Sequence, residues 1–199
     1  MKAYAKRDKK AGSASDRAQN GRLVKPLLIA STIVLTLLTA VFSVLYVAIG
    51  TSWLESCAIS FGTTAYHFCM RFAVAGVVSA VMRNRADYRA ERYRLRAWEK
   101  KLYDRLRVKR WKNLLPTYRP ESFDPRLHSW EEIAQATCQA EIVHAIIVAL
   151  SFLPIVCIVW FGEPVVFIVT SVLAAALDLL FVVAQRYNRA RIVKLIRRT

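Results

Sequence analysis

The chain of 199 residues is 55% hydrophobic, yet it carries a formal net charge of +16. A soluble domain this basic ordinarily meets nucleic acid or another acidic surface. Here the charged and apolar residues are segregated, which excludes a uniformly solvated basic domain and points to a membrane protein.

Residues 1–25 are rich in Lys, Arg, Ala, Ser and Asp and read as a disordered, basic, cytoplasmic leader. Residues 26–50, PLLIASTIVLTLLTAVFSVLYVAIG, contain no charged side chain and are long enough for a transmembrane helix. The run is longer than the core of a signal peptide and follows a long leader, so it reads as a permanent anchor. Gly50, Thr51, Ser52 and Trp53 form a turn with an interfacial Trp. A less pure apolar stretch, residues 54–82, carries Glu55, His67 and Arg71 and returns across the bilayer. Residues 26–82 are thus a first transmembrane hairpin.

Residues 83–140 form a basic, amphipathic cytoplasmic region. Leu95, Trp98, Leu102 and Leu106 recur at helical spacing, and the positions between them are mostly charged, Glu99 among them. This fits a helix lying in the headgroup layer, and equally a solvated helix packed on the rest of the protein. Nucleic acid is disfavoured, because anionic lipid headgroups are the nearer partner. Pro116, Pro120 and Pro125 then impose a loop, and Ser129 caps a helix with Glu131 and Glu132 in its first turn. That helix continues into a third span, residues 141–161. Gly162, Glu163 and Pro164 turn the chain into a fourth, residues 165–184. Residues 141–184 are the second hairpin, and 185–199 are a basic cytoplasmic tail.

Of the 30 Lys and Arg, eight precede the first span, Arg71 lies within the second, 15 lie between the second and third, and six follow the fourth. The two short turns have none. The positive-inside rule therefore places both termini and the central region in the cytoplasm of a multi-pass cell-membrane protein. The fold class is all-α: four transmembrane helices plus a cytoplasmic amphipathic interfacial helix.

Ionisable residues inside a membrane are functional candidates by default. His67 and Arg71, four apart, share a helix face, as do Glu141 and His144, three apart; Asp178 lies in the inner half of the fourth span. His67 and Arg71 also read as residues that bridge spans, and Asp178 as the charge that neutralises Arg71. Glu141 and His144 have the spacing of a metal half-site, but no second ExxH accompanies them, so no metal is expected. They equally suit a carboxylate-oriented general base or a simple surface ion pair. Cys57, Cys69, Cys138 and Cys157 lack CxxC spacing and read as small packing residues. Where the fourth span exits, Gln185, Arg186, Tyr187, Asn188, Arg189, Ala190 and Arg191 combine three arginines with polar and aromatic groups. They suit phosphate or carboxylate recognition, although any positive-inside helix end is basic.

Three segments, Val108-Lys109-Arg110-Trp111-Lys112, Ala140-Glu141-Ile142-Val143-His144 and residues 185–191, resemble in order and spacing the glycosyl-4,4'-diaponeurosporenoate acyltransferase family. That family supplies the final acylation in staphyloxanthin biosynthesis. The likeness spans roughly residues 98–198; the family pattern has a shorter amino-terminal region and tends to read Pro where Ala190 stands. The resemblance implies transfer of a fatty acyl group from acyl-CoA or acyl-carrier protein to a sugar hydroxyl of a membrane glycolipid, with no bound cofactor. Glu141 and His144 would be the base pair. Lys109, Arg110, Trp111, Lys112, Gln185, Arg186, Tyr187, Asn188, Arg189 and Arg191 would bind substrate, the cationic members gripping donor phosphates. The alternative is a non-enzymatic scaffold or lipid-binding subunit of a larger complex. A small transporter using His67, Arg71 and Asp178 as a polar track is a third reading, which four short spans favour only in a homo-oligomer.

Overall fold

The computed structural model describes the backbone of residues 2–198 and the side chains of residues 23–198. Helix α1 spans Lys2–Ile49. Its threonine hydroxyls are satisfied inside the helix: Thr32, Thr36 and Thr39 each donate to the carbonyl four residues back, at 2.7–2.8 Å. The leader, expected to be disordered, continues this helix back to Lys2. Ala, Lys, Arg and Gln are good helix formers, and extending an existing helix avoids the cost of nucleation.

Helix α2, Ser52–Met82, returns against α1. Gly62 allows the close approach, since a Cβ there would sit 3.2 Å from the Thr39 methyl. Phe42 stacks on Phe61 at 5.3 Å and meets Trp53 edge-on at 6.4 Å. The helix stops at Arg83 and Asn84, both in the left-handed region at φ 47° and 57°.

The connection between the hairpins contains a 3₁₀ turn at Glu91–Tyr93, helices α3 (Ala97–Arg105) and α4 (Val108–Trp111), and a second 3₁₀ turn at Pro120–Phe123. Helix α3 is amphipathic in an inverted sense. Trp98 is 58% exposed, and Leu102 and Leu106 are exposed too, whereas Glu99 and Tyr103 are buried against the bundle.

Helix α5, Trp130–Leu150, begins with the expected cap: Ser129 Oγ accepts the Glu132 N–H at 3.2 Å, and Glu132 Oε2 accepts the Ser129 N–H at 2.8 Å. Beyond Leu150 the span is not one regular helix. A 3₁₀ turn, Leu153–Cys157, contains Pro154, whose ring cannot donate a backbone N–H, and α6 (Ile158–Phe161) follows. Helix α7, Pro164–Ile196, starts on Pro164 and carries through the region expected as a separate tail.

Four segments are long and apolar enough to cross a membrane: Leu23–Ile49, Ser52–Met82, Trp130–Phe161 and Pro164–Ile196. The hairpin turns meet at one end, where Ser56 Oγ donates to Glu163 Oε1 at 2.5 Å. At the other end the Asn84 N–H donates to Gln139 Oε1 at 2.7 Å. Between them Met70, Val74, Val78 and Ile147 form one apolar core. Ala86, Tyr88, Tyr93, Ala134 and Cys138 form another beneath the connection. All four cysteines are free thiols.

Candidate active site

The bundle holds two buried ionic centres, and α7 contributes to both. The deeper one joins three helices. Asp178 of α7 is 1% exposed. Its Oδ2 pairs with Arg71 Nη2 of α2, and its Oδ1 lies 2.7 Å from His144 Nδ1 of α5. With the Arg71 guanidinium on its other oxygen, Asp178 is the acceptor in this contact and His144 Nδ1–H the donor, which leaves Nε2 as the ring nitrogen that Asp178 does not engage. No hydrogen bond reaches Nε2 among the described residues. Phe181, one turn along α7 from Asp178, stacks on the His144 ring at 4.5 Å and 7°. The second end of Arg71 is tied to its own helix, where Nη1 donates to the His67 carbonyl at 3.0 Å. His67 is 4% exposed, and neither ring nitrogen has a hydrogen-bond partner among the described residues.

The second centre sits two turns further along α7, about 12 Å from Asp178. Arg186 Nη1 reaches Glu141 Oε1 at 2.6 Å, and its Nε reaches Glu99 Oε1 at 2.9 Å. Arg189, 1% exposed, pairs through Nη1 with Glu141 Oε2 and donates from Nη2 to the Tyr93 carbonyl at 3.1 Å. Burial, with the Glu99 carboxylate close by, pushes the Tyr103 phenol above its ordinary value, keeping it a neutral neighbour of Tyr187.

This arrangement corrects two expectations. Glu141 and His144 share a helix face, but they are not the orienting pair. Glu141 faces two arginines, and the carboxylate on His144 is Asp178. Arg186 and Arg189 are likewise not free to grip phosphate, because carboxylates of this chain neutralise them. The expected pairing of Arg71 with Asp178 is present.

The remaining candidates lie around the end of α7. Lys112 Nζ donates to Asn188 Oδ1 at 2.6 Å and lies 5.8 Å from the Tyr187 ring centre. Trp111 Nε1 donates to the Leu106 carbonyl at 3.0 Å. Lys109, Arg110 and Arg191 are exposed, and Gln185 is half-buried. Glu99 is the residue that the sequence reading placed on the wrong side. It counted among the solvated charges of an amphipathic stripe, and no local pattern marks it as a partner of Arg186.

A family model described as glycosyl-4,4'-diaponeurosporenoate acyltransferase matches residues 89–198. The chain belongs to this family. As a member it falls among acyltransferases of carotenoid-glycoside modification. The matched region contains Glu99, Glu141, His144, Asp178, Arg186 and Arg189, so both ionic centres fall largely within it. Arg71 and His67 lie in the hairpin that precedes it. No curated protein and no solved structure matches the chain.

Proposed function

We propose that this member of the glycosyl-4,4'-diaponeurosporenoate acyltransferase family transfers a fatty acyl group to a sugar hydroxyl of a membrane glycolipid, a carotenoid glycoside or a similar lipid, with His144 as general base. The observation that carries the reading is the His144–Asp178 contact at 2.7 Å, with no hydrogen bond to Nε2 among the described residues. In the proposed step Nε2 takes the proton of the acceptor hydroxyl as its oxygen attacks the thioester carbonyl. The C–S bond then breaks, and the imidazolium returns the proton to the leaving thiolate. Asp178 holds the tautomer and stabilises the imidazolium. Arg71, paired with Asp178 and tied to the His67 carbonyl, holds that carboxylate in place beneath His144. His67 offers two unsatisfied ring nitrogens to the acceptor.

The donor is acyl-CoA or acyl-carrier protein, which are cytosolic. The reading therefore includes the positive-inside orientation, with both termini and the connection between hairpins in the cytoplasm of the cell membrane. The exposed Trp98, Leu102 and Leu106 meet anionic lipid headgroups beside that connection.

The test is turnover of purified protein with acyl-CoA and a lipid glycoside. His144→Ala is expected to lower kcat by roughly 10²–10⁴ with little change in acceptor KM. Turnover at the wild-type level in His144→Ala would overturn the mechanism.

A further inference from the structure

Of the cations expected to hold the donor phosphates, Arg186 and Arg189 are paired with carboxylates of this chain, while Lys109, Arg110 and Arg191 stand exposed with no cavity around them described. Among the described residues, Arg83, Arg85 and Arg92 take part in no ion pair. All three line one cavity of about 650 Å³ at the end of α2. Its other wall is apolar, with Val81 and Met82 of α2 and Ile142 of α5. Asp87 also lines it, but its Oδ1 is turned onto the loop, accepting the Arg89 N–H at 2.9 Å.

The backbone that presents these arginines is held in place. Arg83 and Asn84 occupy the left-handed region in succession, which non-glycine residues seldom do. Gln139 of α5 clamps them by accepting the Asn84 N–H at 2.7 Å and donating to Ser79 Oγ at 3.2 Å. Arg83 thus sits where the apolar span ends, its Nε donating to the Ala80 carbonyl at 3.4 Å. Three guanidinia around an apolar wall suit a phosphate ester that carries a less polar chain. The spacing also fits. Arg71 and Arg83 are twelve residues apart on α2, about 18 Å, a separation that suits the extended phosphopantetheine arm of a thioester donor.

We infer that the cavity lined by Arg83, Arg85 and Arg92 binds the phosphates of the acyl-thioester donor, whose arm then runs along α2 toward His144. The inference rests on the acyl-transfer reading, and an anionic lipid headgroup would offer the same phosphate chemistry. The experiment therefore measures binding rather than turnover. It uses CoA as probe on the full-length protein in non-ionic detergent. Saturable binding that weakens with salt is expected. Arg83→Gln/Arg85→Gln should weaken it by about tenfold or more, and His144→Ala should bind CoA as the wild type does. Partial recovery in Arg83→Lys/Arg85→Lys would support a charge-based contact. Unchanged affinity in the double Gln variant, with an unchanged melting temperature, would overturn the inference. So would displacement of CoA by phosphatidylglycerol at equal phosphate concentration, which would assign the cavity to a lipid headgroup. A wild type that binds no CoA would also overturn it while leaving the His144 mechanism standing, since turnover of His144→Ala tests that separately.

Discussion

Asp178 serves both Arg71 and His144, on two other helices, so its loss acts on stability and chemistry together. Asp178→Asn leaves the Arg71 guanidinium half-buried without a counter-ion, and a marked drop in melting temperature is expected. Adding Arg71→Met removes the stranded charge. The double variant is expected to recover stability but not turnover, and recovery of both would mean that Asp178 only balances charge. Glu141 behaves differently. Glu141→Gln strands Arg189, which is 1% exposed, and is expected to cost about 3–5 kcal/mol, read as lost thermal stability in detergent. That these residues would be buried with partners was legible in the sequence, because ionisable groups within apolar spans need a reason. The Arg71–Asp178 pair was legible too, but the partners of Glu141 and His144 were not. Spacing along one helix shows which residues share a face, and Glu141 and His144 do. It says nothing of the two guanidinia that the neighbouring helix brings to Glu141, and a neutral imidazole cannot compete with them for a carboxylate.

At the scale of the element, α3 separates what periodicity shows from what it leaves open. The stripe of Trp98, Leu102 and Leu106 was plain in the sequence, but a stripe can face a protein core or a lipid. The fold points it outward and turns Glu99 and Tyr103 inward, because Arg186 needs a carboxylate and Tyr187 supplies a ring. Lipid contact of the stripe is tested with a variant that keeps Trp98 as its one tryptophan. Lipids brominated high on the acyl chain are expected to quench its fluorescence more than lipids brominated near the chain end. No quenching by either would make α3 a solvated helix. The continuous α7 was concealed for a related reason. Its composition changes from apolar to basic near Gln185, yet nothing in the residues that follow breaks a helix.

The four-span plan of the whole molecule was the most legible feature, since it depends on local composition alone: long apolar runs separated by short turns free of Lys and Arg. Its orientation is open to a direct test. Cysteines placed at Arg197 and Asp124, in a background without the native four, are expected to react with an impermeant maleimide only from the cytoplasmic side. A cysteine at Ser52 is expected to react only from the opposite side. Labelling of both groups from one side would break the topology. The inverted helix α3 adds a mechanical consequence at this scale. On the proposed lipid contact its apolar face lies at the level of the headgroups, while Glu99 on its buried face fastens it to Arg186, on the same helix as Asp178. On that reading it acts as a float on a rigid arm, and bilayer thickness sets the depth of the proposed site. Reconstitution into lipids of increasing chain length is expected to give an activity optimum rather than a plateau. Glu99→Gln, which loosens the fastening, is expected to flatten it.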